Sequence, residues 1–427
     1  MKTEKHVLKN GLTVLFVETN TFPSFTSLLL VGAGSRYENE KNNGIAHFFE
    51  HMAFKGTKKY PSSLHIASTI EGMGGVFNAF TDKDHTGYWI KAPSQHFETV
   101  MDVISEMILH SILSPEEIER EKGVIIEEMN MYEDTPARKV GDLLEGMMYE
   151  GSPLGFDIIG SKESVKSFTH KTFTDYMNEL YAPSNAVLVV AGGFKGTDYG
   201  KSYLKIIEEK FGSWKAKKTP KAEKVVEKQS KIEKIVKFKK TEQAHFCIGF
   251  RSFPSTDPRR FALRVLTALM GGGMSSRLFI EVRERRGLCY YISTGREAYE
   301  DAGNVVTQAG VPINADKLNE AIEVTLDVHK KIVAGEITEE EVTRTKEMIK
   351  GWLVLSLEDS SSIASFVGGR ELLFHKVETP EEVIKQIDSV TREDVIAVAK
   401  DIFKEENLNL AVIGPFKEKD IKISYNN

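Results

Sequence analysis

The clearest chemical signal in the sequence is the pentapeptide His47-Phe48-Phe49-Glu50-His51, an H-x-x-E-H arrangement. Its surroundings, NGIAHFFEHMAFKGT, have a composition compatible with a helix that ends at Gly56. On such a helix His47 and His51 are four residues apart and share a face, so both imidazoles could bind one zinc ion. Glu50 lies at the edge of that face and could take a proton from zinc-bound water without binding the metal. The alternative to a zinc site is that the two histidines lie on a helix beside a surface glutamate and bind no metal.

A catalytic zinc site needs a third protein ligand beside the position that water occupies. Residues 113–129, LSPEEIEREKGVIIEEM, predict a helix, because Ser114 and Glu117 have the spacing of a capping box. This helix offers Glu121 and Glu128, which are seven residues apart and therefore lie on one face. Ordinary surface acids on a glutamate-rich helix are the alternative for both.

The sequence also contains an internal repeat. Residues 169–194 align without a gap on residues 391–416, an offset of 391 − 169 = 222, and residues 113–129 align on residues 337–353, an offset of 224. A third, weaker match in the same order joins GGVFNAFT in the first copy to RGLCYYIST in the second. Three ordered matches with similar offsets indicate a duplicated α+β domain of about 210 residues.

This repeat bears on the metal site, because the second copy has no H-x-x-E-H. Thr345 stands opposite Glu121. Opposite Glu128 the second copy has Trp352, or Leu353 if a one-residue gap is allowed. The candidate ligands therefore occur only in the first half, and we expect one copy to hold a metal and the other to hold none.

Within each copy, strands alternate with amphipathic helices. This order predicts an α+β fold of two homologous α/β-sandwich domains, each with a mostly antiparallel sheet and helices packed on it. The expected organisation is a zinc-binding catalytic domain at 1–214, a lysine-rich linker at 215–234, and a homologous domain without the zinc motif at 235–427. A basic patch for a polyanion is the alternative for the linker, but glutamates alternate with its lysines and favour a solvated segment.

Composition sets the broad class. The 427 residues are 41% hydrophobic and 28% charged, which excludes a disordered chain and a collagen-like fibre. A net charge of −6 argues against nucleic acid or an anionic membrane as the main partner. No apolar run approaches the roughly 20 residues of a membrane span, and the first residues are too polar for a signal peptide. Cys247 and Cys289 form no C-x-x-C pair, which disfavours a disulfide framework and fits a cytoplasmic location.

Taken together, these residues resemble the pitrilysin family of zinc peptidases with the inverted motif, which includes insulin-degrading enzyme and the mitochondrial processing peptidase. The resemblance covers nearly the whole chain. It rests on HFFEHMAFKGT, REKGVIIEE, GGVFNAFTDKDHTGYW and GGGMSSRLFIEVRERRGLCYY. The chain is similar to the short branch, that of the catalytic subunit of the mitochondrial processing peptidase and of bacterial processing-type peptidases.

The resemblance implies roles for single residues. The family places its glutamate ligand 77 residues after the second histidine, and 128 − 51 = 77 selects Glu128 in this sequence. Glu121 is then the acid that orients a ligand histidine. The stretch Asn78-Ala79-Phe80-Thr81 matches the edge strand that pairs with the substrate backbone. The alternative is that Asn78 has no role in substrate binding and only forms the hydrogen bonds of a turn.

The implied activity is that of a zinc-dependent endopeptidase with one Zn²⁺ per chain. It would hydrolyse short or unfolded polypeptides by a metal-activated water molecule, with Glu50 as the general base. Arg283 and Tyr290, seven residues apart, match a pair that contacts the bound peptide and the developing oxyanion. A non-catalytic core or peptide-binding subunit of a larger assembly is the alternative function.

Chain length implies an assembly. Long members of the family carry four such domains and this chain carries two, so the resemblance implies that two subunits close as a clamshell. The partner subunit would then supply Arg283 and Tyr290 in trans. A homodimer is expected, with a paralogue as the other possible partner, and neither nucleic acid nor a membrane is an expected partner.

Overall fold

The computed structural model describes residues 2–19, 22–194 and 199–425. The chain divides into two compact units. Unit 1 comprises Met1–Met129, Phe156–Glu223 and Val354–Thr379; unit 2 comprises Asn130–Gly155, Lys224–Leu353 and Pro380–Asn427. Each unit therefore draws segments from both halves of the sequence.

The strands among the described residues are β1 Lys2–Val7, β2 Thr13–Glu18, β3 Ser24–Val31, β4 Val76–Thr81, β5 Thr86–Pro93, β6 Ala186–Gly192, β7 Glu233–Phe238, β8 Ala244–Ser252, β9 Tyr291–Ala298, β10 Gly303–Val311 and β11 Leu408–Gly414. The helices are α1 Ile45–Met52, α2 Ser63–Gly72, α3 Phe97–Leu109, α4 Pro115–Glu133, α5 Pro136–Met148, α6 Lys162–Ser167, α7 His170–Leu180, α8 Tyr199–Phe211, α9 Arg260–Gly271, α10 Ala315–Val333, α11 Glu339–Ser356, α12 Ser360–Phe374, α13 Pro380–Ser389 and α14 Arg392–Ile402. Short 3₁₀ helices lie at Ser35–Tyr37, Ser94–His96, Pro153–Gly155, Pro183–Asn185, Glu405–Asn407 and Glu418–Asp420, and a π-helical segment lies at Phe279–Glu284.

The two sheets have matching topologies. The sheet of unit 1 has the order β1-β2-β6-β3-β5-β4, and the sheet of unit 2 has the order β7-β11-β8-β10-β9. Among the strands of the described residues, β2 and β6 are the parallel pair of unit 1, and β7 and β11 are the parallel pair of unit 2. Without β1, the first sheet therefore repeats the order and strand directions of the second. The predicted α+β class, with duplicated and mostly antiparallel sheets, is confirmed.

In unit 1, helices cover both faces of the sheet. Leu28 and Leu30 of β3 pack with Val367 of α12 on one face. On the other face, Phe25 of β3 lies 5.4 Å from Phe97 of α3, measured between ring centroids. Because both faces are covered, β3 is buried almost throughout, and its second half, Leu28-Leu29-Leu30-Val31, is a continuous apolar run.

In unit 2, one face of the sheet is covered by α5. Val140, Leu144 and Met148, spaced four residues apart, pack with Cys247 of β8 and Ile413 of β11. The first residues of α5 and α12 are 360 − 136 = 224 positions apart, which is an offset of the repeat. The two equivalent helices are thus exchanged, and each packs on the sheet formed mainly by the other half of the sequence.

Because of this exchange, each compact unit consists of three segments of the chain, whereas the sequence predicts contiguous domains at 1–214 and 235–427. Amphipathic patterning predicts that α5 and α12 bury one face but does not specify which sheet receives that face. In the segment expected to be a linker, 215–234, the chain has no regular secondary structure until β7 begins at Glu233. Within the described residues, no helix has the length and apolar character that a membrane span needs.

Candidate metal centre

Helix α1 carries the H-x-x-E-H residues. It spans Ile45–Met52, and Gly56, with a φ of +141°, follows shortly after its end. The helix buries an apolar face made of Ile45, Ala46, Phe48, Phe49 and Met52. His47 and His51 lie on the remaining face, with ring centroids 4.8 Å apart. The structure thus brings the two imidazoles together, as their spacing predicts.

Glu128 of α4 faces both imidazoles. Its Oε2 lies 3.7 Å from Nε2 of His47 and 3.6 Å from Nε2 of His51. A zinc ion bound tetrahedrally to nitrogen and oxygen would separate its ligand atoms by about 3.3 Å. The side chains of His47, His51 and Glu128 are only 12%, 23% and 20% exposed, respectively. Two imidazole nitrogens and one carboxylate oxygen are a donor set of catalytic zinc, so these residues fit the metal that the sequence implies.

Glu121 contacts His51 from α4, two turns before Glu128 on the same helix. Nδ1 of His51 donates a hydrogen bond to Oε1 of Glu121 at 2.9 Å, and Nζ of Lys55 donates to Oε2 at 2.6 Å. Burial would raise the pKa of Glu121, but the hydrogen bonds from His51 and Lys55 lower it below its ordinary value. The ionised carboxylate holds the proton of His51 on Nδ1, which leaves the Nε2 lone pair free to bind a metal.

Glu50 is hydrogen-bonded to the edge strand rather than to the histidines. The hydroxyl of Thr81 in β4 donates to Oε2 of Glu50 at 2.6 Å. Burial raises the pKa of Glu50 above its ordinary value, and the bond from Thr81 opposes that rise. A bound divalent cation would oppose it further. The converging ligand atoms belong to His47, His51 and Glu128 and not to Glu50, so this carboxylate remains available for proton transfer.

Strand β4 forms one end of the unit 1 sheet, so one side of its backbone is unpaired within that sheet. The N–H of Asp82 donates to the carbonyl of His85 at 2.8 Å, which makes these two residues a hydrogen-bonded pair. Because such pairs alternate in antiparallel strands, the backbone groups of Phe77, Ala79 and Thr81 point to the free edge.

Asn78 lies within this strand and not in a turn. Its Oδ1 accepts a hydrogen bond from the N–H of Ala79 at 2.9 Å, at the free edge. Phe80 faces the opposite side of the sheet from Thr81 and packs against the core beside α12. The stretch Asn78–Thr81 is therefore an edge strand beside the candidate base.

Arg283 and Tyr290 lie in unit 2, whereas the candidate metal ligands lie in unit 1. Arg283 belongs to the π-helical segment, and its guanidinium lies 4.6 Å from the ring centroid of Phe279 and 5.7 Å from that of Tyr290. Tyr290 is 74% exposed. The structure brings the predicted pair together, and π-helical turns of this kind are frequent at functional sites.

The second copy offers no ligands at the equivalent positions of α11. The hydroxyl of Thr345, opposite Glu121, donates to the carbonyl of Glu341 within its own helix. Leu353 is buried and Trp352 is exposed. The two acids of α4 that face the histidines thus have no acidic counterpart at the equivalent positions of α11.

The sequence does not predict three side-chain contacts of the site, those of Lys55, Thr81 and Glu38. Lys55 stands four residues after His51, a spacing that could have indicated a contact with the same acid. The side-chain role of Thr81 had no local signal, because its contact with Glu50 depends on the packing of β4 on α1. The carboxylate of Glu38, which binds the start of α1, likewise had none.

Comparisons with known proteins identify relatives of this chain. The family model described as insulinase, peptidase family M16, matches residues 13–162, and the model of the peptidase M16 inactive domain matches residues 167–349. An uncharacterized zinc protease of Bacillus subtilis (strain 168) is 37% identical over 413 residues, which cover 96% of this chain and 98% of that protein. An uncharacterized zinc protease of Streptomyces coelicolor is 33% identical over 423 residues, or 96% of this chain and 89% of that protein.

Solved structures share the architecture. A protease from Helicobacter pylori superimposes with a TM-score of 0.90 at 25% identity and covers 97% of this chain and 99% of its own. A peptidase M16 inactive domain from Pseudomonas fluorescens has the same fold, with a TM-score of 0.88 at 20% identity over 98% of both chains. The converging His-His-Glu group, the duplicated sheets and the full-length relatives lead to one assignment: this chain belongs to peptidase family M16, the insulinase or pitrilysin family.

Proposed function

We propose that this protein is a zinc endopeptidase of the processing type, which hydrolyses short or unfolded polypeptides with one Zn²⁺ per chain. The observation that carries the proposal is the position of Glu128, whose Oε2 is 3.7 Å and 3.6 Å from the two imidazole nitrogens. The names of the zinc proteases from Bacillus subtilis and Streptomyces coelicolor support the choice of metal.

His47, His51 and Glu128 would bind the zinc, and Glu121 would hold His51 in the tautomer that binds through Nε2. Zinc supplies Lewis acidity, which activates water and polarises the scissile carbonyl. Glu50 takes a proton from the attacking water and later delivers it to the leaving amine. The Thr81 hydroxyl holds one carboxylate oxygen of Glu50, so the other oxygen is left for the water molecule.

The free edge of β4 would align the substrate. An extended peptide could pair with the outward backbone groups of Phe77 and Thr81, and with the N–H of Ala79 once it exchanges Oδ1 of Asn78 for a peptide carbonyl, and so continue the sheet by one strand. Because Thr81 also binds Glu50, a peptide on this edge would place a carbonyl beside the general base. Backbone pairing selects an extended chain and not a particular side chain, which favours unfolded or short substrates.

In this proposal, the second half of the sequence of a partner subunit would complete the site. We propose a homodimer in which Arg283 and Tyr290 of one subunit contact the peptide and stabilise the developing oxyanion at the zinc site of the other. The proximity of the two side chains and the exposure of Tyr290 support such a role.

The decisive experiment is cleavage of a mixed peptide pool by the metal-replete protein, with products mapped by mass spectrometry. We expect cleavage that a chelator abolishes and zinc restores, and one zinc ion per chain by elemental analysis. Glu50→Gln should keep the zinc while turnover falls by roughly 10²- to 10⁴-fold. If the zinc-loaded wild-type protein cleaves nothing, the alternative of a non-catalytic subunit replaces this proposal. Full activity of Glu50→Gln would remove Glu50 as the base.

A further inference from the structure

Helix α1, which carries the candidate metal ligands, has no side-chain cap of its own. Its N-cap residue is Gly44, with a φ of +95°. Glycine has no side chain, so it cannot cap the helix by a side-chain hydrogen bond. A Cβ atom at Gly44 would lie 2.6 Å from the carbonyl oxygen of Ile159, so only glycine fits. The first N–H groups of a helix nevertheless need acceptors when they are buried.

Glu38 supplies those acceptors from outside the helix. Its Oε2 accepts hydrogen bonds from the N–H of Gly44 at 2.7 Å and from Nδ2 of Asn43 at 2.9 Å. Its Oε1 accepts the N–H of Ala46 at 2.8 Å. Glu38 is only 3% exposed. Glu38 therefore acts as the N-cap of α1 through its two carboxyl oxygens, and where it is ionised its charge lies at the positive end of the helix dipole.

The segment that carries Glu38 is itself fixed to the turn after β4. The N–H groups of Ser35 and Arg36 donate to the carbonyls of Asp82 and Lys83 at 3.2 Å and 3.0 Å. Nη1 of Arg36 donates to Oδ1 of Asp84 at 2.8 Å, and both side chains are buried. This anchoring means that the capping carboxylate has a fixed position relative to the β4–β5 hairpin.

The hairpin holds α1 at a second point, because Thr81 at the end of β4 binds Glu50. The start of α1 is thus tied to the hairpin through Glu38, and the turn that carries Glu50 is tied to it through Thr81. The helix has only eight residues, and Ala46, the residue whose N–H binds Glu38, directly precedes His47. Movement of the first turn would therefore displace both imidazoles relative to Glu128.

We propose that Glu38 is a positioning residue for the metal centre: as the cap of α1, it fixes the direction in which His47 and His51 present their nitrogens to the ion. The proposal rests on the proposed function, since it concerns the same metal site. It assigns Glu38 no contact with metal or substrate.

The test is Co²⁺ binding to the metal-free protein, followed by visible absorption, because the spectrum reports ligand geometry. Glu38→Gln keeps the shape of the side chain but replaces one acceptor oxygen by an amide donor. Above pH about 8, where the carboxylate is ionised, we expect Glu38→Gln to bind Co²⁺ roughly 10-fold more weakly. At saturating Co²⁺ its spectrum should also differ from that of the wild type.

A matched control is available in the same unit. Asp359 caps α12 and accepts the N–H groups of Ser361 and Ser362 at 2.9 Å and 3.3 Å. Asp359→Asn removes the charge of a capping carboxylate far along the sequence from the metal ligands. It should bind Co²⁺ with the affinity and spectrum of the wild type, although its thermal stability falls.

The outcomes separate this proposal from the proposed function. If the wild type binds neither Co²⁺ nor Zn²⁺, the metal site fails as a whole. If the wild type binds and Glu38→Gln gives the same affinity and spectrum, only the role of Glu38 is overturned. Should Glu38→Gln not fold, Glu38→Asp keeps the charge with a shorter reach. Weaker Co²⁺ binding by Glu38→Asp would support the proposal, and wild-type binding would overturn it.

Discussion

The hydroxyl of Thr81 donates a 2.6 Å hydrogen bond to Oε2 of Glu50 and thereby joins the edge strand of unit 1 to the candidate general base. Thr81 ends β4, whose backbone is expected to pair with a peptide, and Glu50 lies between the two histidines on α1. One residue thus contacts both parts of the proposed reaction. Its backbone would position the substrate, and its side chain restricts the rotation of the base.

Thr81→Val should therefore lower kcat by up to roughly 100-fold, because a misplaced base costs that much in rate. Valine has nearly the shape of threonine and leaves the backbone pairing intact, so KM should change little. Thr81→Ser retains the hydroxyl and should restore most of the rate. Steady-state kinetics on one peptide substrate would measure kcat and KM separately. Equal kcat values for the valine variant and the wild type would contradict the proposed role of the Thr81 hydroxyl.

Glu121 offers a second prediction, which concerns affinity for the metal. Its side chain is 3% exposed and accepts from both His51 and Lys55. Glu121→Gln should weaken zinc binding about 10- to 100-fold, as is typical when the partner of a ligand histidine is changed. Competition with a chromophoric chelator would measure the loss. Glu119→Gln, on the same helix but with a side chain 70% exposed, is the matched control and should leave the affinity unchanged.

Much of this site could be predicted from the sequence because its spacing is helical. His47 and His51 stand one turn apart on α1, and Glu121 and Glu128 stand two turns apart on α4, so each pair shares a face before any tertiary contact forms. The resemblance predicts that Asn78–Thr81 is an edge strand, and β4, which contains this stretch, lies at one end of the sheet.

The contacts of Glu38 could not be predicted in this way. The residue reaches the start of α1 across a loop whose path depends on the turn at Asp82–Asp84, and no periodicity encodes that path. The same limit applies to α5 and α12. Their amphipathic spacing specifies a buried face, but the choice of sheet depends on packing between distant segments.

The position of α12 on the unit 1 sheet leads to a prediction about stability. A Cβ at Gly368 would lie 2.8 Å from side-chain atoms of both Leu30 and Val189, whereas a Cβ at Gly369 would meet no atom within 4 Å. Gly368→Ala should destabilise the protein by about 1–3 kcal/mol through overpacking. Gly369→Ala should stabilise it by up to about 1 kcal/mol through helix propensity. Denaturant unfolding of the two variants would test this, and equal effects would contradict the packing of α12 on β3 and β6.

The proposal that the partner subunit supplies Arg283 and Tyr290 can be tested by mixing two inactive variants. In a mixed dimer of Glu50→Gln and Tyr290→Phe, one site would combine an intact Glu50 with an intact Tyr290 from the partner. If subunits assort at random, recovered activity should approach about one quarter of the wild type. A mixture of Glu50→Gln and His47→Ala should recover nothing, because both changes affect the same half of the site. Absence of recovery in the first mixture would favour a site completed within one chain.

The buried carboxyl group of Glu38 should make the stability of the protein depend on pH. Burial raises its pKa from 4.5 to about 8, although the N–H groups of Ala46 and Gly44 and the side chain of Asn43 oppose the rise. Between these two values the folded protein binds a proton that the unfolded chain has released. The contribution of Glu38 to stability is therefore fully present below pH about 4.5 and is lost as the pH rises toward about 8.

Glu38→Gln cannot titrate, so the stability difference between wild type and variant should shift against the wild type across this window. Thermal midpoints of the metal-free proteins, measured with a chelator present, would show the shift. Asp359→Asn is again the control. The pKa of Asp359 is lowered to about 2, mainly because hydrogen bonds from Lys91 and Ser361 outweigh the effect of burial. Its contribution is present above its ordinary pKa of 3.8 and is lost only as the pH falls toward about 2. The curve of Asp359→Asn should therefore run parallel to the wild type between pH about 5 and about 8, while that of Glu38→Gln should not. Parallel curves for both variants would mean that Glu38 does not titrate in this range.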